Sequence, residues 1–217
     1  MKRIFIAELG IGAKGDFNKA KRMMGKALNA GATYAKGQFY NALELLGKDS
    51  PYLEEAAKAQ FTKQQHEDLG RYAERIGIRY FVSVFNIKDV EWAARFGLMK
   101  VATRMNRQQA FLAKVESMKL PTFMSVQPDV DTRIPNRFKL MWCVAKYPTD
   151  KEDILKYPYQ GFGLSSHCPD ITATMEAMKQ GANIIEHHVV ESKEENGCDV
   201  SSSITFEDFK LLHEYQD

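Results

Sequence analysis

The sequence contains few cysteines, no long apolar run and no excess of charge of either sign. The three cysteines, Cys143, Cys168 and Cys198, form no Cys-x-x-Cys pair, which favours reduced thiols in a cytoplasmic protein over a disulfide framework. No run of about 18 apolar residues occurs, so we expect no transmembrane helix, and residues 1–9 are too short and polar for a signal peptide. The 30 basic and 28 acidic residues are well mixed, which argues against binding to nucleic acid or to a membrane surface.

The chain has enough apolar material for one folded domain. Of its 217 residues, 44% are hydrophobic and 27% are charged, as is ordinary for a soluble globular protein. A chain of this length buries ~70% of the surface that its unfolded form exposes. We therefore expect a single domain over residues 1–217.

Strand-like apolar runs and helix-like periods alternate along the chain. The helix over residues 63–76, for example, has Thr62 as its N-cap and is closed by Gly77. The predicted strands cover residues 3–9, 33–38, 78–85, 98–103, 121–126, 139–144, 161–166 and 183–190. The predicted helices cover residues 16–30, 63–76, 87–96, 106–118, 150–156, 170–180 and 205–215, with local helix in an insertion over 41–59.

Eight strands that alternate with helices predict a closed (β/α)8 TIM barrel. The barrel should be compact, because residues 127–138 contain Pro128 and Pro135, show no helical period, and replace the fifth helix with a loop. An open α/β sheet of six or seven strands is the alternative. In both architectures, ligands bind at the carboxyl ends of the parallel strands.

Two histidines follow neighbouring strands at this edge. Gly-Leu-Ser-Ser-His ends at His167, and Ile-Ile-Glu-His-His ends at His188. One helix-length segment separates the two runs, so the strands should be parallel and both histidines should lie at the same edge. Because imidazole is a common metal ligand, we expect His167 and His188 to share one cation. His187 should point to the opposite face, since strand side chains alternate.

Other polar residues collect at the same strand ends. Two lysines and several hydroxyls near a histidine pair suit an anionic, phosphate-bearing substrate beside a metal. A lysine that points into a barrel is costly unless it is paired, and Glu186 is a possible partner. The candidates in chain order are Glu8, Lys36, Gln38, Ser83, Lys100, Thr103, Ser125, Tyr147, Ser165, His167, Glu186 and His188.

With these residues the chain resembles the barrel domain of the sialic acid synthases, or N-acetylneuraminate synthases. The matching segments run in order along essentially the whole chain. They are Ile-Ala-Glu-Leu-Gly-Ile from Ile6, Ala-Gly-Ala-Thr-Tyr-Ala-Lys-Gly-Gln from Ala30, Tyr-Pro-Thr from Tyr147, Gly-Leu-Ser-Ser-His from Gly163 and Ile-Ile-Glu-His-His from Ile184. Gly197 to Asp199 reads Gly-Cys-Asp where the family has Gly-Pro-Asp.

The resemblance implies condensation of phosphoenolpyruvate with an amino sugar or related aldose to a 2-keto sugar acid. It implies a divalent metal, manganese or magnesium, on His167 and His188. It assigns catalytic roles to Glu8, Lys36, Lys100 and Tyr147, and substrate contacts to Gln38, Ser83, Thr103, Ser125, Ser165 and Asp199. It also implies a homodimer, and the family's C-terminal antifreeze-like domain, which these residues do not include, could be a separate partner protein.

Two positions depart from the family pattern and keep other functions open. Met105 replaces a glutamate, and Ala145 replaces an asparagine. These changes favour a second hypothesis, a degenerate barrel that binds a sugar or phosphate ligand or a partner without turnover. A third hypothesis is an aldolase-type lyase that uses Lys36 or Lys100 as a Schiff-base lysine. His66 and His213 lie in helical segments and are interpreted as surface or partly packed residues.

Overall fold

The computed structural model describes residues 3–127 and 134–215 and forms a closed parallel barrel. Each strand pairs with the next in chain order, and β1 also pairs with β8. The eight barrel strands are β1 Ile4–Glu8, β2 Tyr34–Phe39, β3 Arg79–Val84, β4 Met99–Val101, β5 Thr122–Val126, β6 Phe138–Trp142, β7 Gly163–Ser166 and β8 Ile184–Val190. A short strand β9, Ile204–Thr205, pairs in parallel with the end of β8. The (β/α)8 prediction is confirmed, and the open-sheet alternative is wrong because β1 and β8 are hydrogen-bonded.

Helices surround the barrel close to the predicted positions. They are α1 Phe17–Asn29, α2 Ala42–Leu46, α3 Leu53–Ala59, α4 Lys63–Ile76, α5 Val90–Ala93, α6 Gln109–Ser117, α7 Lys151–Ile154, α8 Ile171–Lys179 and α9 Phe206–Glu214. The predicted bounds of α4 are confirmed, because Thr62 forms a capping box with Gln65 and Gly77 takes the left-handed conformation. The described helices include none that is both long and apolar enough to cross a membrane.

Two predicted segments differ in detail. Residues 87–96 form the one-turn helix α5 between two 3-10 turns instead of a continuous helix. The predicted loop over 127–138 lies partly outside the described residues; Gln127 and residues 134–137 are non-helical where they are described. The insertion contains the two short helices α2 and α3, and residues 41–59 are called the strap below.

Every second side chain of a strand points into the barrel, and these inward side chains form two layers. The lower layer is apolar and contains Ile6, Phe81, Leu98, Phe123, Met141 and Ile184. Two residues further along each strand, at the carboxyl end, the inward positions are polar, as at Glu8, Lys36 and Glu186. Gly163 contributes no side chain, and a Cβ there would lie 2.6 Å from the Ile184 carbonyl oxygen. The apolar layer therefore closes the barrel and forms the floor of a polar mouth.

Candidate active site

A cavity of about 730 Å3 opens at the carboxyl ends of the strands. All twelve residues that the sequence analysis assigned to catalysis, substrate or metal line it: Glu8, Lys36, Gln38, Ser83, Lys100, Thr103, Ser125, Tyr147, Ser165, His167, His188 and Asp199. Strand alternation brings most of these residues together, because inward side chains converge at the strand ends, while Thr103, Tyr147 and Asp199 come from segments that follow strands. Their convergence in one cavity agrees with the predicted placement, while their chemical roles stay predictions.

Lys36 lies in a buried ion-pair network. Its Nζ forms an ion pair with Glu8, lies 3.3 Å from Glu186 Oε1 and donates to Ser83 Oγ at 3.1 Å. Burial by itself would lower the pKa of Lys36, but the Glu186 and Glu8 carboxylates outweigh it and raise that pKa. Lys36 is therefore held as a charged ammonium at the floor of the mouth.

Lys100 shares the same carboxylate from the other side. Its Nζ donates to Ser125 Oγ at 2.8 Å and to Glu186 Oε1 at 3.1 Å. Burial lowers the pKa of Lys100, and the nearby Lys36 charge adds to that effect. Burial would raise the pKa of Glu186, but Lys100 and Lys36 together lower it below its ordinary value. Glu186 is therefore an ionised carboxylate that bridges two ammonium groups.

Glu186 completes the site, although the resemblance gave it no role. Its Oε1 also accepts from Ser165 Oγ at 3.1 Å, whereas its buried Oε2 has no hydrogen-bond partner among the described residues. The sequence signal was present, since Glu186 is two residues before His188 and so faces the same side of β8. Arg104 and Arg107 also line the cavity, as does Cys143, which was not assigned to it from the sequence.

His167 and His188 lie side by side, with ring centroids 5.4 Å apart. His167 Nδ1 lies 3.0 Å from the Val144 carbonyl oxygen, which can only accept, so Nδ1 carries the proton. Burial and the nearby His188 lower the pKa of His167 to about 3. The ring is therefore neutral, and Nε2 keeps the lone pair that a metal requires.

His188 is oriented by a carboxylate. Its Nδ1 lies 3.2 Å from Asp199 Oδ2, the arrangement that commonly fixes a metal-binding imidazole. Burial would lower the pKa of His188, but Asp199 outweighs burial and raises it. The Tyr147 ring packs against His167 with a centroid separation of 3.9 Å and an angle of 31° between the ring planes, while 55% of the residue stays exposed.

The donor set fits one cation at an open site. Two imidazoles supply nitrogen ligands, and within residues 3–127 and 134–215 no third His, Cys, Asp or Glu joins them in a metal-binding group. Substrate or water oxygens would have to complete the coordination, as in catalytic metal sites. Imidazole also suits manganese better than magnesium, which prefers oxygen ligands.

Two other histidines, one on a strand and one on a helix, show where side chains outside the cavity point. His187 points away from the mouth, as predicted, and its Nε2 lies 2.8 Å from Thr174 Oγ1 on α8. The interpretation of His66 as a surface or partly packed residue is wrong: it is fully buried, and its Nδ1 lies 2.7 Å from the Tyr80 hydroxyl. Burial lowers the pKa of His66 to about 4, so a neutral ring packs in the core with one polar partner.

The chain is similar to sugar-acid synthases over most of its length. It is 23% identical to an N,N'-diacetyllegionaminic acid synthase of Campylobacter jejuni, covering 97% of this chain and 74% of that protein. It is 26% identical to the human N-acetylneuraminate-9-phosphate synthase, covering 92% of this chain and 65% of that protein. The chain thus spans about two thirds to three quarters of the length of these relatives.

Structure and family comparisons agree with this similarity. A crystal structure of an N-acetylneuraminic acid synthetase from Leptospira borgpetersenii matches with a TM-score of 0.88 and 24% identity, covering 98% of this chain and 82% of that one. This match confirms the fold. The NeuB family model matches residues 23–216, which is most of the chain. The chain therefore belongs to the NeuB family.

Proposed function

We propose that the mouth of this barrel condenses phosphoenolpyruvate with an amino sugar or related aldose to a 2-keto sugar acid, with the help of a divalent metal. The observation that carries this proposal is the pair of buried ammonium groups, Lys36 and Lys100, in the same cavity as His167 and His188. Membership of a family whose relatives are sugar-acid synthases supports it.

The lysines are suited to a substrate with a carboxylate and a phosphate. Glu8 and Glu186 compensate the two ammonium charges, which keeps buried cations tolerable. Ser83 and Ser125 already hydrogen-bond these ammonium groups and can turn their hydroxyl protons towards an anion. We assign these four residues, with Thr103 and Ser165, to phosphoenolpyruvate.

We assign the aldose to the other half of the mouth, where Gln38, Tyr147 and Asp199 line the cavity. A manganese or magnesium ion held by His167 and His188 would polarise the aldehyde oxygen when bound. Asp199 keeps His188 in the tautomer with a free Nε2, and Tyr147 covers His167 on the solvent side. These contacts orient the sugar so that its C1 faces the lysine half of the cavity.

The proposed reaction consumes only phosphoenolpyruvate, the aldose and water. C3 of phosphoenolpyruvate attacks the aldehyde C1, and the new alkoxide takes up a proton. Water then adds at C2 and loses a proton, and phosphate leaves with the bridging oxygen to give the 2-keto acid. We assign the proton from water to the Glu8 carboxylate, which lies beside Lys36 at the end of β1.

Because the Met105 side chain cannot transfer a proton, the acid–base steps are left to the carboxylates of the site. The residue is buried, and its Sδ lies 3.5 Å from Gln108 Nε2, so the position that holds a glutamate in the family has no acid–base group here. Glu8 and Glu186 are the carboxylates of the lysine half of the cavity among the described residues. We therefore expect the proton transfers to depend on them.

Isotope labelling tests the bond that breaks. Phosphoenolpyruvate labelled with 18O in its bridging oxygen should release labelled phosphate with N-acetylmannosamine as acceptor, because water attacks C2. Mass spectrometry of phosphate and keto acid measures the label. Unlabelled phosphate would mean attack at phosphorus and would contradict the proposed step.

A Schiff-base lyase remains the second candidate because burial lowers the pKa of Lys100, as an amine nucleophile requires. We expect borohydride with pyruvate to leave the protein unmodified, because Lys100 is engaged by Glu186 and Ser125. Mass spectrometry after proteolysis locates any adduct. A stoichiometric reduced adduct on Lys100 would favour the lyase over the condensing enzyme.

We also propose a homodimer. Large aromatic residues that line the mouth are exposed, Tyr52 at 54% and Tyr147 at 55%, and such patches commonly mark interfaces. Sedimentation at micromolar concentration should give twice the chain mass of 24.7 kDa. A clean monomer would contradict the homodimer and leave a separate antifreeze-like protein as the candidate partner.

A further inference from the structure

The strap, residues 41–59, reaches from one side of the barrel mouth to the other. In α2, the Leu45 carbonyl oxygen accepts from Arg104 Nη1 at 2.8 Å, just after β4. In α3, Glu55 Oε1 accepts from the Cys198 backbone N–H at 3.0 Å, beyond β8. Since β4 and β8 are four strands apart in the eight-stranded barrel, the strap is fixed to two segments that follow strands on opposite sides of the barrel.

The strap presents an apolar surface to the cavity. The side chains that line the cavity from the strap are Leu45, Leu46, Tyr52 and Ala56. Ala56 belongs to a small hydrophobic cluster with Tyr40 and Ala42 that is separate from the barrel core, and Leu45 and Leu46 pack against it. The Tyr40 hydroxyl donates to the Ala56 carbonyl at 3.0 Å. The apolar surface is therefore held in place by packing and by hydrogen bonds at both ends.

The chemistry of the mouth determines which end of an acceptor meets this surface. The reacting groups Lys36, Lys100 and Glu186 are all buried at the floor, so the aldehyde carbon must lie deep. The terminal carbon of an extended aldose then lies towards the opening, where the strap lines the cavity with Leu45, Leu46 and Ala56. These apolar side chains stabilise a methyl group and offer a hydroxyl no hydrogen-bond partner.

We infer that the strap is the acceptor-specificity element of this site and selects an aldose whose terminal carbon is a methyl group. The inference rests on the proposed function for the identity of the acceptor. Arg104 at the rim is the feature that would favour a terminal phosphate instead. Its guanidinium, however, already donates to the Leu45 carbonyl, and that contact holds the strap in place.

Three sugars separate these possibilities: N-acetylmannosamine, its 6-deoxy form and its 6-phosphate. Phosphate release should give a kcat/KM for the 6-deoxy sugar about tenfold or more above that for the 6-hydroxy sugar, the discrimination an apolar pocket supplies. The Leu46→Gln variant, nearly equal in volume, should lose most of this preference while its KM for phosphoenolpyruvate is unchanged. Leu43→Gln is the matched control, because Leu43 is on α2 but does not line the cavity.

Calorimetric binding of the same three sugars separates failure of the strap from failure of the reaction. If no sugar supports phosphate release but Leu46→Gln still abolishes a preference in binding, the condensation is wrong and the strap assignment stands. An unchanged preference in Leu46→Gln, or the same loss in Leu43→Gln, would overturn the strap assignment. Preferred binding of the 6-phosphate would also overturn it and would assign the terminal group to Arg104.

Discussion

Replacement of Lys36 by Met is expected to destabilise the protein by about 3–5 kcal/mol, the usual cost of leaving one partner of a buried ion pair alone. Lys36 and Glu8 are both almost completely buried and are paired with each other. The variant should also lose binding of phosphoenolpyruvate. Urea unfolding and calorimetric titration measure the two effects separately.

The double variant Lys36→Met/Glu8→Gln is the matched control for the stability effect. It removes both charges of the pair, keeps an acceptor for the Gly10 N–H that Glu8 Oε1 now binds at 2.7 Å, and leaves the Lys100–Glu186 pair balanced. We expect it to recover at least half of the lost stability but no binding of the anion. Equal destabilisation of single and double variants would mean that the charge pair is not the cause.

The pH dependence of the single variant has a definite sign. Burial would raise the pKa of Glu186, but Lys100 and Lys36 together lower it to about 2 in the parent, and Lys36→Met removes one of these two cations. The ionised Glu186 then contributes less of the stability that is present above its unfolded pKa of ~4.3. The loss of stability should therefore be full at neutral pH and should shrink as the pH falls from ~4 towards about 2. A loss that is constant between acidic and neutral pH would point to lost packing instead of an unpaired charge.

His167→Ala and His188→Ala are each expected to lose manganese binding and to lower kcat by about 1,000-fold or more, since a bound metal supplies several kcal/mol of transition-state stabilisation. Each substitution removes one of the two adjacent imidazoles. Electron paramagnetic resonance of free Mn2+ measures binding without any need for turnover. Circular dichroism checks that the fold is kept.

His187→Asn is the control for this pair of variants. His187 is next to His188 in the chain but contacts Thr174 on the helix side of β8, so its variant should bind manganese as the parent does. Parent-like manganese affinity in both alanine variants would place the metal elsewhere. Loss of affinity in all three variants would indicate a general disturbance of β8.

Much of the fold and the candidate site could be predicted because side chains alternate between the two faces of short strands. On β8, Glu186 and His188 face the mouth while His187 faces α8, as a period of two requires. The same rule brought Lys36 and Lys100 inward from strands 64 residues apart in the chain. Capping chemistry fixed the bounds of α4, because Thr62 and Gln65 act locally at its start and Gly77 acts locally at its end.

What the sequence did not predict depends on contacts between distant segments. Glu186 was a possible partner for a barrel lysine from the sequence, but it pairs with both lysines only because β8 closes against β1. His66 is buried because Tyr80, on β3, provides a hydroxyl to its ring. The strap showed only local helical tendency, and its position over the mouth depends on Arg104 and Cys198 far along the chain.

Phosphate release from phosphoenolpyruvate, measured with and without N-acetylmannosamine and Mn2+, tests the condensation most directly. We expect release only when aldose and cation are both present, one keto acid formed per phosphate, and no release by Lys36→Met/Glu8→Gln. Phosphate release that does not depend on the aldose, or its absence from the complete mixture while phosphoenolpyruvate and the sugar both bind, would contradict a condensing enzyme.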